Sequence, residues 1–425
     1  MGTLRNSNIA ELRKYDDPLN PATSQYDVLH PRMTFDEVFD PASGKKLSEV
    51  TFGDGGEWEV YTCTGTADST AVANLVNNFF NSGAAMTKKI KVVGTMGVAF
   101  TSTYYAVSIT GTNSRGATCY LDFSECVIPE ITTASRDFLM VSNATVKLNV
   151  TGLTVTTTRY GVYLSNSENN VFSDCTISSD GSANSYGIYL TKSSKNVIRN
   201  CTIKTAYVGV YLSSNCDNNT ISNCTINGSA YGVNLSTSSY NVVDNCIVNS
   251  SGTYGVFLNI SNNNTFTNCT ISGSSSNGLY FSSSNNCTYT NCTISGGRGV
   301  YGASTCRNNI FFSCAISGSV GEGLFTSSEG MLLLQNCKIV GANYGIYIQS
   351  TNTASETKLF NCQIKGATQD ISQSSSASNT IKWVILGNSF SKASIIADGI
   401  AAITSKTSAS IWMPAYANYF SQTID

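Results

Sequence analysis

From residue 175 to residue 362 the chain keeps a beat. Cysteines stand at Cys175, Cys201, Cys224, Cys246, Cys269, Cys292, Cys314, Cys337 and Cys362, at intervals of 22 to 26 residues. Two residues after each comes Ile or Val, from Ile177 and Ile203 through to Ile364, and the residue before is Asn in seven of the nine. Glycines keep the same time at Gly161, Gly187, Gly209, Gly232, Gly255, Gly278, Gly299, Gly323 and Gly345. A fixed period in the twenties means a solenoid, in which each coil buries its apolar face only by stacking on its neighbours.

The residues between the beats say which solenoid. Cys-Thr-Ile and Val-Tyr-Leu alternate apolar and polar, the period of strands. No stretch within the repeat has a 3.6-residue apolar pattern, and no Leu-rich consensus is present. Each coil therefore reads as short strands, for example 197–198, 201–203 and 209–212, joined by Ser, Asn and Gly. That is an all-β fold, a parallel β-helix, with like positions stacked about 4.8 Å apart. In such a tube Cys acts as a small hydrophobe beside Ile. Asn is expected to bond to Asn one coil away. One Asn ladder lies just before Cys (Asn200, Asn223, Asn245, Asn268, Asn291, Asn336, Asn361) and another five before it (Asn170, Asn196, Asn219, Asn241, Asn264, Asn309). Gly is expected to relieve a bend. Leu153 and Cys126 continue the beat upstream, and eleven rungs make a column roughly 48 Å long at about 4.8 Å per step.

Composition narrows the function. The formal charge of −2 leaves no cationic excess for phosphates, so no nucleic-acid partner is expected. Charged residues are only 12% of the chain, yet 41% is hydrophobic and regularly spaced, which excludes disorder. No apolar run is long enough for membrane insertion. MGTLRNSNIAELRKYDDP has no signal-peptide core, and Asn6 breaks the myristoylation pattern. Cytoplasmic synthesis with reduced thiols follows as the expectation. Cysteines spaced by a whole coil are not metal ligands, and no CxxC pair exists, so neither metal nor cofactor is expected. The many Asn-X-Ser/Thr matches are by-products of the repeat.

The flanks are different material. Residues 1–58 hold 16 of the 52 charges and four of the six prolines, Pro18, Pro21, Pro31 and Pro41. An extended segment of this kind orders by docking on something else. Val72, Leu75, Val76, Phe79 and Phe80 then lie on one helical face, with Asp68 or Ser69 as N-cap. A short helix near 69–82 would cap the open end of the column. The expected division is 1–60 docking segment, 61–385 β-helix with its capping helix, and 386–425 C-terminal cap or trimer contact.

Candidate chemistry is sparse. Glycoside hydrolysis needs paired carboxylates, about 5–5.5 Å apart for retention or 6.5–9.5 Å for inversion. Glu168 and Asp217 occupy equivalent places two coils apart, roughly 10 Å by the 4.8 Å step, and read as turn acids. Asp174 and Asp244 read as substitutes in the Asn ladder. His30, the single histidine, lies in the docking segment. No catalytic residue is assigned. An outward aromatic stripe is the stronger feature: two residues after eight of the nine glycines stand Tyr163, Tyr189, Tyr211, Phe257, Tyr280, Tyr301, Phe325 and Tyr347, with Asn234 the exception. A continuous exposed stripe calls for a partner, either sister columns of a homotrimer or a glycan laid on a platform.

With these features assembled, the chain resembles the tail fibres and tailspikes of tailed bacteriophages. The stretch from Tyr26 through Phe39-Asp40-Pro41-Ala42-Ser43-Gly44 to Glu49 looks like the head of such fibres, and the helix followed by Lys88-Lys89-Ile90-Lys91-Val92-Val93-Gly94 looks like the entry to their pectate-lyase-like domains. The repeat is also similar to NosD-type β-helix repeats of bacterial proteins. The resemblance implies a right-handed helix, a homotrimer, a phage tail or baseplate protein holding residues 1–60, and a host surface glycan or receptor as target. It implies a virion location after synthesis in the host cytoplasm. A non-enzymatic attachment appendage is the first reading. A host-glycan depolymerase, hydrolase or lyase, and a bacterial NosD-like protein are the alternatives.

Overall fold

The computed structural model describes residues 57–82, 87–100, 104–113, 116–143, 145–273, 275–327, 332–349, 356–373, 382–391, 411–412 and 419–420, all within the compact unit Gly55–Asp425. The N-terminal segment 1–56 with His30, and most of 386–425, lie outside the described residues.

The described chain is a parallel β-helix with one helix at its N-terminal end. Strands Val171–Ser173, Thr176–Ser179 and Tyr186–Thr191 make one coil. Each lies parallel and in register on the next coil: Phe172 on Ile198, Ile177 on Ile203, Leu190 on Leu212. One face is a 15-stranded sheet, and the other two are linked in a 22-stranded sheet. The stretch from Cys to Gly is four residues shorter in the coils of Cys201 and Cys224 than in that of Cys175. There the second and third strands fuse into Thr202–Ser213 and Thr225–Ser236. Lys382–Leu386 and Ser389–Phe390 lay a further coil on the column, pairing with Glu356–Phe360 and Gln363–Gly366.

The beat has three physical causes, and two differ from the expectation. The aliphatics after each Cys fill the tube, Ile177 through Ile364 being at most 2% exposed. Burying each contributes roughly 1.5–3 kcal/mol. The coil glycines, by contrast, do not relieve a bend, since none of them has a positive φ. They leave space instead: a Cβ on Gly187 would lie 2.2 Å from Ile203 Cγ2 and 2.7 Å from Gly209 O. Gly161 and Gly209 stand likewise against Ile177 and Ile226. The left-handed residue is the one before Cys, with φ 53° at Asn200 and Asn223 and 54° at Asn268 and Asn336. Asn, or Asp174 and Ser313 in its place, tolerates that turn best after Gly. Exposed amide pairs such as Asn245 to Asn223 at 2.7 Å are secondary there.

The other Asn ladder is the amide ladder expected. Asn170, Asn196, Asn219 and Asn241 are buried. Each gives its Nδ2 to the Oδ1 of the next at 3.0–3.2 Å, and its backbone N–H to the same oxygen at 2.8–2.9 Å. Buried amides need such partners. A parallel ladder of Ser hydroxyls runs through Ser238, Ser261 and Ser284. Cys216 stands in that ladder in place of a Ser, and Cys287 takes an Asn place.

At the N-terminal end Asp68–Ser82 lays Val72, Ala73, Val76, Phe79 and Phe80 on the first coils. Asn77 ties it to the chain at Ser108, Thr110 and Gly111. Asp68 and Ser69 do different work from capping. The Asp68 carboxylate accepts from the N–H groups of Thr64, Gly65 and Gly97 at 2.9, 2.8 and 2.7 Å, and from the hydroxyls of Tyr61 and Thr64. Ser69 Oγ is bonded to Ala99.

Candidate functional site

The cysteines line the inside. All fifteen are free thiols, and those of the beat are 1–2% exposed. Each Sγ lies near the carbonyl two residues before it, as Cys224 does with Ser222 at 3.1 Å. Burial pushes the thiols of Cys119 and Cys287 up to about 12 and those of Cys216 and Cys306 to about 11. These four raised thiols are inert, and the enclosed cysteines of the beat pack as small hydrophobes. Among the described residues no group of three or more His, Cys, Asp or Glu could hold a metal ion, and no helix is long and apolar enough to cross a membrane.

Each of the candidate acids has a partner of its own. Glu168 Oε2 lies 3.5 Å from Lys195 Nζ, and Asp217 Oδ1 accepts the Ser239 N–H at 2.7 Å. Asp174 takes the left-handed Asn place with φ 57° and accepts from Asn200. Asp244 ends a strand, one residue before its own Asn245, and accepts from Asn268.

The aromatic stripe is a physical column. Register runs unbroken from Tyr163 to Tyr189, Tyr211, Asn234, Phe257, Tyr280, Tyr301, Phe325 and Tyr347. Alternation with inward Val and Leu turns these side chains outward. Tyr163, Tyr189 and Tyr211 stack with centroids 5.2 and 5.1 Å apart, and Tyr280, Tyr301, Phe325 and Tyr347 at 5.1, 4.7 and 5.4 Å. The interplanar angles in these stacks are 4–23°. The rings thus cover one another's faces and turn edges and phenol groups outward. They are half-buried, and Phe325 is buried.

Beside it stands a second column that the sequence reading missed. Tyr160, Tyr186, Val208, Tyr231, Tyr254, Asn277 and Arg298 follow in register, each just before its coil's Gly. Tyr160 stacks on Tyr186 at 5.1 Å, and Tyr254 crosses to Tyr280 at 4.6 Å. The signal was legible: Tyr-Gly is written at 160–161, 186–187, 231–232, 254–255 and 344–345.

Two ion pairs punctuate this face. Arg159 grips the fully buried Asp137 through Nε and Nη2 at 2.8 and 2.5 Å, while its guanidinium lies 4.4 Å from the rings of Tyr104 and Tyr160. Burial raises the Asp137 pKa against the pull of Arg159. Further along, Arg298 Nε meets Glu322 Oε2 at 2.5 Å, beneath Tyr301 and Phe325.

A family model described as the right-handed beta helix region matches residues 77–243, 130–274 and 231–390. The chain belongs to that family. As a right-handed β-helix it is similar to the A-module of mannuronan C-5 epimerase AlgE4 from Azotobacter vinelandii, with TM-score 0.48, 12% identity and coverage of 71% of this chain and 92% of that one. The catalytic domain of a GH87 alpha-1,3-glucanase gives TM-score 0.47, 12% identity and coverage of 77% and 68%. The tailspike gp49 of Acinetobacter baumannii bacteriophage Fri1, a capsular polysaccharide depolymerase, gives 0.40, 11%, 72% and 56%. Likeness at this level speaks of the β-helix fold alone. No curated protein matches the chain.

Proposed function

We propose that this β-helix is a virion appendage of the tail-fibre or tailspike kind, a homotrimer that attaches a phage to a bacterial surface glycan or receptor. Residues 1–60 dock on a tail or baseplate protein, and 386–425 contribute to the trimer. The observation that carries the reading is the aromatic column with its two self-stacked runs, Tyr163 to Tyr211 and Tyr280 to Tyr347. Sugars stack on open ring faces, and here the faces are taken by neighbouring rungs. A staircase of ring edges instead suits a second flat sheet face, which buries the edges and shields the column. Each aromatic removes up to about 150–250 Å² from water when fully buried, so even a fraction of that over eight rungs makes a large interface.

The test is the triple substitution Tyr211→Ser, Phe257→Ser and Tyr280→Ser, with circular dichroism confirming the fold. Solution mass should fall from trimer toward monomer. A stable trimer that has lost host-cell binding would instead assign the stripe to a glycan, and a monomeric unsubstituted chain would remove the assembly altogether.

A further inference from the structure

The face is not uniformly aromatic, and its second column carries one polar island. There Asn277 and Arg298 follow Tyr254 in register, and Glu322 comes next, two residues before Leu324, the partner of Val300. The three side chains differ in burial. Asn277 and Glu322 are 4% and 7% exposed, whereas 42% of the Arg298 side chain is open. Glu322 takes only Nε, which holds the guanidinium plane with its carbon 5.2 Å from the Phe325 ring centroid and 5.5 Å from that of Tyr301. Among the described residues no acceptor takes either Nη of Arg298. Asn277 Oδ1 is buried with no hydrogen-bond partner. A buried acceptor left open is costly, a cost that a built site recovers only when a donor arrives.

The geometry points to a binding subsite for an acidic saccharide. A sugar carboxylate meets the Nη fork of Arg298, the group whose planar geometry fits it in bidentate fashion. A neighbouring sugar hydroxyl donates to Asn277 Oδ1, beside the aromatic column and not on it. Glu322 is a positioning residue, fixing the guanidinium from behind without facing the ligand. The Arg159 pair differs in this respect, because Asp137 takes both its Nε and an Nη. This inference rests on the host-glycan half of the proposed function and not on the trimer half.

Binding of oligogalacturonate to the full chain would be measured by calorimetry, with the carboxyl-reduced oligosaccharide as the neutral control and solution mass followed in parallel. The unsubstituted protein should bind the acidic form and not the reduced one, with affinity falling as salt rises. Arg298→Gln should weaken binding roughly ten- to hundredfold, the worth of a charge-assisted pair, at unchanged mass. Arg298→Lys should not restore it, since an ammonium lacks the fork. Equal binding of the acidic and reduced forms, no binding of either, or full binding by Arg298→Gln would each overturn the subsite. A monomeric mass alongside Arg298-dependent binding would leave the subsite standing and remove only the trimer.

Discussion

Asn223 carries the turn into its coil with φ 53°, directly before the buried Cys224. For a residue with an ordinary Cβ that conformation costs roughly 1–2 kcal/mol. Asn223→Ala should therefore lower the thermal midpoint, and Asn223→Gly should recover most of the loss, although both delete the same amide. Equal losses would show that the amide, not the backbone, is what the position needs. The recurrence of Asn was plain in the sequence, but its cause was not. One ladder is chosen for hydrogen bonds and the other for a dihedral angle, and the same letter serves both. Asp174 and Ser313, interrupting only the second, were the visible hint. Glycine misled in the same way. Its period was legible, but the crowding by Ile203 at Gly187 is a contact between residues on different strands, and a one-dimensional pattern does not carry it.

At the scale of the element, the capping helix was legible from its apolar face. Val72, Val76, Phe79 and Phe80 are buried as their spacing requires, and Leu75 is partly buried. What holds the helix start was not legible, because Gly97 is remote from Asp68 in the chain. Burial alone would raise the Asp68 pKa, but the donors from Thr64, Gly97 and Tyr61 outweigh it and hold the carboxyl well below its usual range. A carboxylate stabilised in the fold contributes in full above its unfolded pKa of about 3.9 and loses that contribution as pH falls below it. The melting midpoint should thus begin to drop near pH 5 and keep falling as the pH goes down toward the depressed folded value, with Asp68→Asn starting lower at neutral pH and falling less. An identical acid slope in the variant would place the linkage on another group. The fused strands Thr202–Ser213 and Thr225–Ser236 were also beyond sequence reading, since losing four loop residues looks the same whether the turn tightens or disappears.

At the scale of the whole molecule, the strands run around the axis and the hydrogen bonds between coils run along it, as from the Thr225 N–H to the Cys201 carbonyl at 2.9 Å. That orientation has a mechanical consequence for anything anchored at one end and attached at the other. Load along the axis falls on the bonds of a terminal coil first, and not on all coils together. The column should behave as a spool: each coil released pays out about 23 residues, roughly 78 Å of extended chain at about 3.4 Å per residue. Pulled as a single chain between its ends, the protein should give a sawtooth of near-equal steps of that length, one for each coil of the cysteine beat. One large rupture would mean that the coils share the strain. A column of this build yields by lengthening, coil by coil, before it parts.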